Sequence, residues 1–473
     1  MARLYPFVIG GELVVPEHLA MVRSPFSGDA VGECGAASGL EVERAVEAAA
    51  GARDAMAALP AWKRSQALRE LENAVRSHQD ELAGLIAAEA AKPLRDARGE
   101  VQRGLLTLRT AAEEALRIGG EVSPLDVAAG GEGRFSLSRR CPIGIIAGIT
   151  PFNFPLNLVL HKLAPALASG NPIIIKPSPR APLTALRLGE LALGLELPPG
   201  AVNVVAGGAE PVEQLLSDGR VAMLSFTGSA AVGWELKARA GRKKVVLELG
   251  GNAANIVHHD ADLELAATRL STGAFGYAGQ SCISVQRVYA HRAIYAELRQ
   301  RLVAKAGELR LGDPGHETTD VGPMISNEAA DRAFGWMEEA VAAGAAVACG
   351  MKRDGGFVWP TILEGVPPQA AISKEEAFAP VLLLAAYDRE SEALREANAS
   401  RYGLQAAVFT RSLEFALEAF RQLEVGAVLI NEASNWRMDP MPYGGVKASG
   451  FGREGLRAAI AEMTELRLLI LRQ

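Results

Sequence analysis

Between Pro142 and Val257, short apolar runs alternate with longer helical stretches, and this alternation restricts the fold more than any other feature of the chain. Ile145 to Ile149, Pro172 to Lys176, Val202 to Ala206, Met223 to Phe226 and Lys244 to Leu249 read as strands. Leu158 to Ala168, Pro182 to Leu195, Val212 to Ser217 and Ala231 to Ala240 read as the helices between them. A strand that is apolar along its length is buried on both faces, so helices must cover both sides. Apolar strands separated by helices lie parallel, joined by right-handed crossovers. The expected class is therefore α/β. A second alternating set runs from Ile256 to about Ile430, and a chain of 473 residues is too long for one ordinary core.

Four further segments stand outside this pattern. Leu4 to Val15 reads as short strands around the Gly10-Gly11 turn, and Leu40 to Arg117 as helical with breaks near Pro60 and Pro93. Gly119 to Arg140 reads as a protruding hairpin with a turn at Gly130-Gly131. The tail Leu466 to Leu471 is a short apolar strand. Exposed as an edge it would be a liability, so pairing with another chain is the expectation.

Composition removes several classes of function. Hydrophobic content of 49% with 22% charged residues is that of a globular protein. A net charge of -6 leaves no basic footprint, so no nucleic-acid partner is expected. The four cysteines, Cys34, Cys141, Cys282 and Cys349, show no C-x-x-C spacing, which argues against a disulfide framework and a structural metal. Met1 to Pro16 has no apolar core of signal-peptide type, and no run is long enough to span a membrane. A cytoplasmic enzyme with no membrane partner is the expectation.

Three residues carry chemistry. Cys282 follows the small, turn-forming run Tyr277-Ala-Gly-Gln-Ser, which suits an exposed nucleophile. Glu248 stands between Leu247 and Leu249, where desolvation raises a carboxyl pKa toward neutrality. Asn153 is an amide held between aromatics and prolines in Thr150-Pro-Phe-Asn-Phe-Pro155. A thiolate attacking an aldehyde gives a thiohemiacetal whose oxyanion needs fixed donors. The Asn153 amide and the Cys282 backbone N–H are the candidates, and Glu248 is the candidate base for the water that cleaves the ensuing thioester. Strand Met223–Phe226 runs into Thr227-Gly228-Ser229-Ala230-Ala-Val-Gly233 and a helix, a turn suited to an anion although Ala230 replaces the middle glycine of a dinucleotide fingerprint. Lys176 ends a parallel strand, where it faces the ligand crevice and could hold ribose hydroxyls or a 2'-phosphate.

This constellation resembles the NAD(P)-dependent aldehyde dehydrogenase superfamily along essentially the whole chain. The matching stretches are Thr150 to Pro155, Lys176-Pro-Ser178, Phe226-Thr-Gly228-Ser229 with Gly233, Leu247 to Gly251, Gly279 to Cys282, Glu375 to Pro380, and Pro442 to Lys447 with Ser449-Gly450. The resemblance implies Cys282 as nucleophile, Glu248 as base and Asn153 as oxyanion donor. It implies a cofactor site of Thr150, Pro151, Phe152, Lys176, Ser178, Phe226, Gly228, Ser229, Gly233, Leu249, Gly250, Glu376 and Phe378, holding NAD or NADP. It also implies a Rossmann-like cofactor domain (1–118 and 141–248), an α/β catalytic domain (249–440) and a β-hairpin oligomerisation arm (119–140 and 455–473), hence a homodimer or homotetramer. Two departures stand out. Many NAD-preferring members carry a glutamate three residues after the lysine, where this chain has Pro179 followed by Arg180, and the usual Phe-Gly-Pro is Phe378-Ala379-Pro380.

Within the superfamily the chain resembles the lactaldehyde, phosphonoacetaldehyde and non-phosphorylating glyceraldehyde-3-phosphate dehydrogenase branch, through Asn157, His161, Tyr277-Ala-Gly279 and Met441 to Gly445. Triose-phosphate enzymes carry an arginine before the nucleophile, where this chain has Ser281. His161, Ser281, Ser284, Arg117, Trp436 and Arg437 are the candidate substrate contacts, and their polarity favours a small polar or anionic aldehyde. Two alternatives stand beside hydrolytic oxidation: a CoA-acylating semialdehyde dehydrogenase, against which Glu248 argues, and a catalytically silent structural member of the fold.

Overall fold

A computed structural model describes residues 2–472. Its first sheet has eight strands, in the order Glu12–Val14, Phe7–Ile9, Val202–Val204, Ile173–Lys176, Ile145–Ile149, Val221–Thr227, Lys244–Glu248 and Gly450–Phe451. The five strands from Val202–Val204 to Lys244–Glu248 are mutually parallel, as their apolar character requires. The chain builds outward from Ile145–Ile149 in one direction, then returns to its other side with Val221–Thr227. Ile149 and Phe226 therefore face each other at the point where strand order reverses. In open α/β sheets the crevice beyond the carboxyl ends of two such strands is where ligands bind. Thr150 and Gly228 lie there.

The second sheet has seven strands, in the order Ala346–Cys349, Thr361–Glu364, Val381–Tyr387, Val285–His291, Ala253–Val257, Gln405–Phe409 and Ala427–Ile430. Only its first edge strand runs antiparallel. The link from Glu248 to Ala253 joins the carboxyl edge of the first sheet to the amino edge of the second. Side chains from both edges thus meet across one cleft.

Helix Asn157–Ser169 lies under the first sheet and is buried at every position. Its sequence is apolar except for a few residues such as His161 and Lys162, so those must find partners inside the protein. The long helical region is four helices, Gly39–Ala58, Ala61–Ser77, Gln79–Ala90 and Leu94–Ala115. Two breaks fall near Pro60 and Pro93 as the sequence indicates, and a third falls at His78, where no proline or glycine marks it.

The tail strand has a partner on one edge within its own chain. Thr464–Arg472 pairs along nine residues with Arg134–Pro142 of its own chain, which in turn pairs with Val122–Pro124. The outer edge of the tail strand stays bare, and Leu466, Leu468, Leu469 and Ile470 are each more than half exposed. Among the described residues no helix is long and apolar enough to cross a membrane, and no group of side chains is arranged to hold a metal ion.

Candidate active site

Cys282 follows a turn that ordinary residues avoid. Tyr277, Ala278 and Gly279 take successive left-handed backbone angles, with φ of 49°, 52° and 67°. For a residue with a Cβ this conformation costs on the order of 1 kcal/mol. Packing holds the turn. The Tyr277 hydroxyl donates to the Ala90 carbonyl at 2.9 Å, and the Lys92 ammonium lies 4.6 Å from the Tyr277 ring centre. At Gly279 a side chain would collide with the Ala379 carbonyl. Gln280 is fixed by the Ile325 amide, which donates to its side-chain oxygen at 2.9 Å. Cys282 is thereby delivered on a rigid backbone just ahead of strand Val285–His291.

Asn153 arrives from the first sheet. Buried Glu100 accepts from the Leu156 and Asn157 amides at 2.9 and 3.1 Å, and its other oxygen pairs with Lys92. These bonds satisfy open donors at the start of helix Asn157–Ser169 and fix the turn that carries Asn153. The Asn153 amide donates to the Gln280 carbonyl at 3.0 Å, which leaves its second N–H for a reacting oxygen.

Glu248 ends its strand with both carboxyl oxygens buried and without a hydrogen-bond partner. Burial, and then the nearby Glu454 carboxylate, hold its pKa well above the usual carboxylate range against the pull of Arg437, Lys162 and Arg453. Glu454 goes the other way. It is buried too, but the Lys162 ammonium at 2.8 Å holds it well below that range. Two neighbouring carboxylates pushed apart in this way leave one anion and one proton acceptor.

The Cys282 sulfur lies 3.3 Å from the Tyr443 hydroxyl. Burial pushes its pKa up to about 11, and the Tyr443 bond opposes the rise. The exposed thiolate expected from the sequence is therefore a partly exposed thiol, because apolar packing of the turn outweighs the one donor beside it.

Cys282, Glu248 and Asn153 line one cavity of about 580 Å³, a volume suited to a cofactor and a small substrate. Every residue expected at the cofactor lines it except Gly233, which lies beneath Leu249 where a side chain would collide. Ser281 and Arg437 also line it. The other expected substrate contacts do not. Arg117 sits at an exposed helix end, paired with Glu113 and Glu114. Trp436 is 43% exposed and stands away from the cavity. The Ser284 hydroxyl turns back to donate to the Gly273 carbonyl at 3.1 Å. His161 lies behind the wall, bonded to Asp439 and Arg437. The structure adds Arg103, Tyr443 and Glu454 to the lining. Tyr443 lies inside a matching stretch; Arg103 and Glu454 carry no local signal.

Eight buried side-chain polar atoms lack a partner among the described residues, and five belong to this wall: Thr150 Oγ1, Asn153 Oδ1, both Glu248 oxygens and Arg437 Nε. Such atoms are rare in folded proteins, so their gathering marks a place shaped for a ligand. The pattern of the Aldehyde dehydrogenase family matches residues 16–469. The chain belongs to that family. This dehydrogenase is 44% identical to 3-sulfolactaldehyde dehydrogenase of Priestia aryabhattai, over 99% of this chain and 98% of that protein. Aldehyde dehydrogenase 21 from Physcomitrella patens, solved in complex with the reaction product succinate, matches with a TM-score of 0.98 at 41% identity, covering 100% of this chain and 99% of that one. The glyceraldehyde-3-phosphate dehydrogenase GapN from Methanocaldococcus jannaschii, solved with NADP, matches with a TM-score of 0.93 at 38% identity, covering 97% and 100%.

The residues at the switch point fit the NAD(P) on which the family depends. Ser229 caps helix Ala230–Arg239, whose N-terminus opens on the cavity and favours an anion. Burial lowers the Lys176 pKa to about 8 with no carboxylate beside it, so its ammonium gains from a polar ligand. Glu376 accepts from the Gly251 amide at 3.1 Å and is pushed up to about 7 by burial. A Cβ at Gly250 would strike the Glu376 carboxyl.

Proposed function

We propose that this dehydrogenase oxidises a small anionic aldehyde to its carboxylate, using NAD or NADP and water. Glu248 carries the reading: a buried carboxyl with no partner, in the same cavity as Cys282. As the sulfur bonds to the aldehyde carbon, the thiol proton is lost to solvent. The aldehyde oxygen, now an oxyanion, takes donors from the Asn153 amide and the Cys282 backbone N–H, each worth about 3 kcal/mol. Bound NAD(P) supplies the hydride acceptor. Glu248 is then the proton acceptor the cavity offers to the water that attacks the acyl–sulfur bond, and that proton passes to the leaving sulfur as cleavage returns the thiol.

Two guanidinium groups favour an anionic substrate. Arg103 is held by Asp439 through two bonds of 3.0 and 2.7 Å, and Arg437 lies 3.6 Å from the Tyr443 ring centre. Both line the cavity. The relatives whose names or complexes include sulfolactaldehyde and succinate act in the same direction. At the cofactor's ribose, Pro179 and Arg180 replace the glutamate that repels a 2'-phosphate, so NADP is accepted as well as NAD. The bare tail edge, with its exposed leucines, is assigned to a second copy of the chain.

A panel of succinic semialdehyde, lactaldehyde and butanal, each with NAD and NADP, with and without CoA, tests the reading. Faster turnover of the anionic aldehyde to free acid without CoA supports it. Equal kcat/KM for succinic semialdehyde and butanal overturns the substrate class, and a requirement for CoA overturns hydrolysis.

A further inference from the structure

His161 makes three contacts that no single protonation state satisfies. Its Nε2 is 2.9 Å from Asp439 Oδ1. Its Nδ1 is 2.8 Å from an Arg437 nitrogen and 3.3 Å from Glu454 Oε2. Arg437 can only donate. Nδ1 must therefore accept in the shorter contact, which places the ring proton on Nε2, facing Asp439, and leaves the Glu454 contact unbonded. Asp439 also accepts from Arg103 and from the Asn157 side-chain amide at 3.0 Å, and the bonds from His161 and Arg103 hold its pKa well below the usual range against burial. Glu454 takes its strong partner from Lys162, not from His161. Glu248 lies near the same Arg437, whose guanidinium carbon is 3.6 Å from the Tyr443 ring centre.

Arg437 is thus gripped at one end while its Nε stays buried without a partner on the cavity wall. Its side chain is only 6% exposed, so it has no bulk water to serve instead. Its guanidinium lies over the Tyr443 ring, and the hydroxyl of that ring touches the Cys282 sulfur. A continuous series of contacts therefore runs from His161 through Arg437 and Tyr443 to the nucleophile. We infer that His161 is a positioning residue: it fixes Arg437 as the receptor for the substrate's distal anion at a set reach from Cys282. This rests on the anionic-aldehyde reading above.

Two probes isolate the effect, since succinic semialdehyde and butanal differ only by a carboxylate in place of a methyl. The readout is the ratio of their kcat/KM values, in which general damage to the fold cancels. His161→Gln places its amide near Nε2, keeping a donor for Asp439 but removing the acceptor for Arg437. His161→Asn places its oxygen near Nδ1 and keeps that acceptor. The ratio falls about 10-fold in His161→Gln, through KM for the semialdehyde, and returns to within about threefold of wild type in His161→Asn, as expected for one bond to a charged group. Equal losses with both aldehydes, or an unchanged ratio in His161→Gln, overturn the inference while the substrate reading stands. A wild-type enzyme with no preference for the semialdehyde overturns both.

Discussion

Replacing Glu248 by glutamine separates what the protein needs for stability from what it needs for turnover. The carboxyl is buried and neither oxygen has a donor. Its folded-state pKa is raised, so it contributes stability at low pH that is lost as pH rises through the folded-state value. At pH 9 the folded protein must hold a buried anion or keep a proton against the solvent. The amide keeps the shape and the unmet polar atoms but removes the charge. A buried unsatisfied polar group costs about 1–3 kcal/mol and a charged one more, so the difference recovered at pH 9 is on the order of 1–2 kcal/mol. For a chain this large that is a rise of roughly 1–3 °C in melting temperature at pH 9 relative to the change at pH 5. Differential scanning fluorimetry of both proteins at the two pH values reads it. Steady-state aldehyde oxidation falls on the order of 10²- to 10⁴-fold over the same range, since no general base remains for water. A glutamine variant that is destabilised equally at both pH values would refute the reasoning, because it would make Glu248 an ordinary satisfied carboxylate.

Three further outcomes follow from the geometry. Lys176→Ala weakens binding of NAD and NADP about 10-fold by fluorescence titration, the loss expected for one bond from a charged donor. Tyr443→Phe keeps the ring beneath Arg437 but removes the hydroxyl from Cys282, so alkylation of that thiol by iodoacetamide at pH 8 slows about fivefold, matching one neutral hydrogen bond of about 1 kcal/mol. Ile470→Asp places a charge on the bare tail strand and shifts the oligomer toward monomer in analytical ultracentrifugation, with near-wild-type far-UV circular dichroism.

The elements of the first sheet were legible because apolar strands and amphipathic helices differ in length and period. Cys282, Glu248 and Asn153 were legible because each is a lone polar group in small, apolar or rigid company. Arg437 and Arg117 could not be told apart in sequence. One lines the cavity from a loop, and the other ends helix Leu94–Ala115 among glutamates in solvent. Arg103 lies on that same helix and differs from its exposed arginines only in facing Asp439, 336 residues later. The tail was legible as a strand but not in its pairing, since nothing local announces that Arg134–Pro142 is its partner. The raised thiol of Cys282 was hidden as well, because it depends on how the turn packs.

The central claim is that Cys282 carries the acyl group. Glu248→Gln enzyme is mixed with succinic semialdehyde and NADP, quenched in acid, digested and examined by mass spectrometry. The account predicts a succinyl group on Cys282 approaching one per subunit, and none on Cys34, Cys141 or Cys349. An unmodified Cys282 in a sample that has formed reduced cofactor would contradict it.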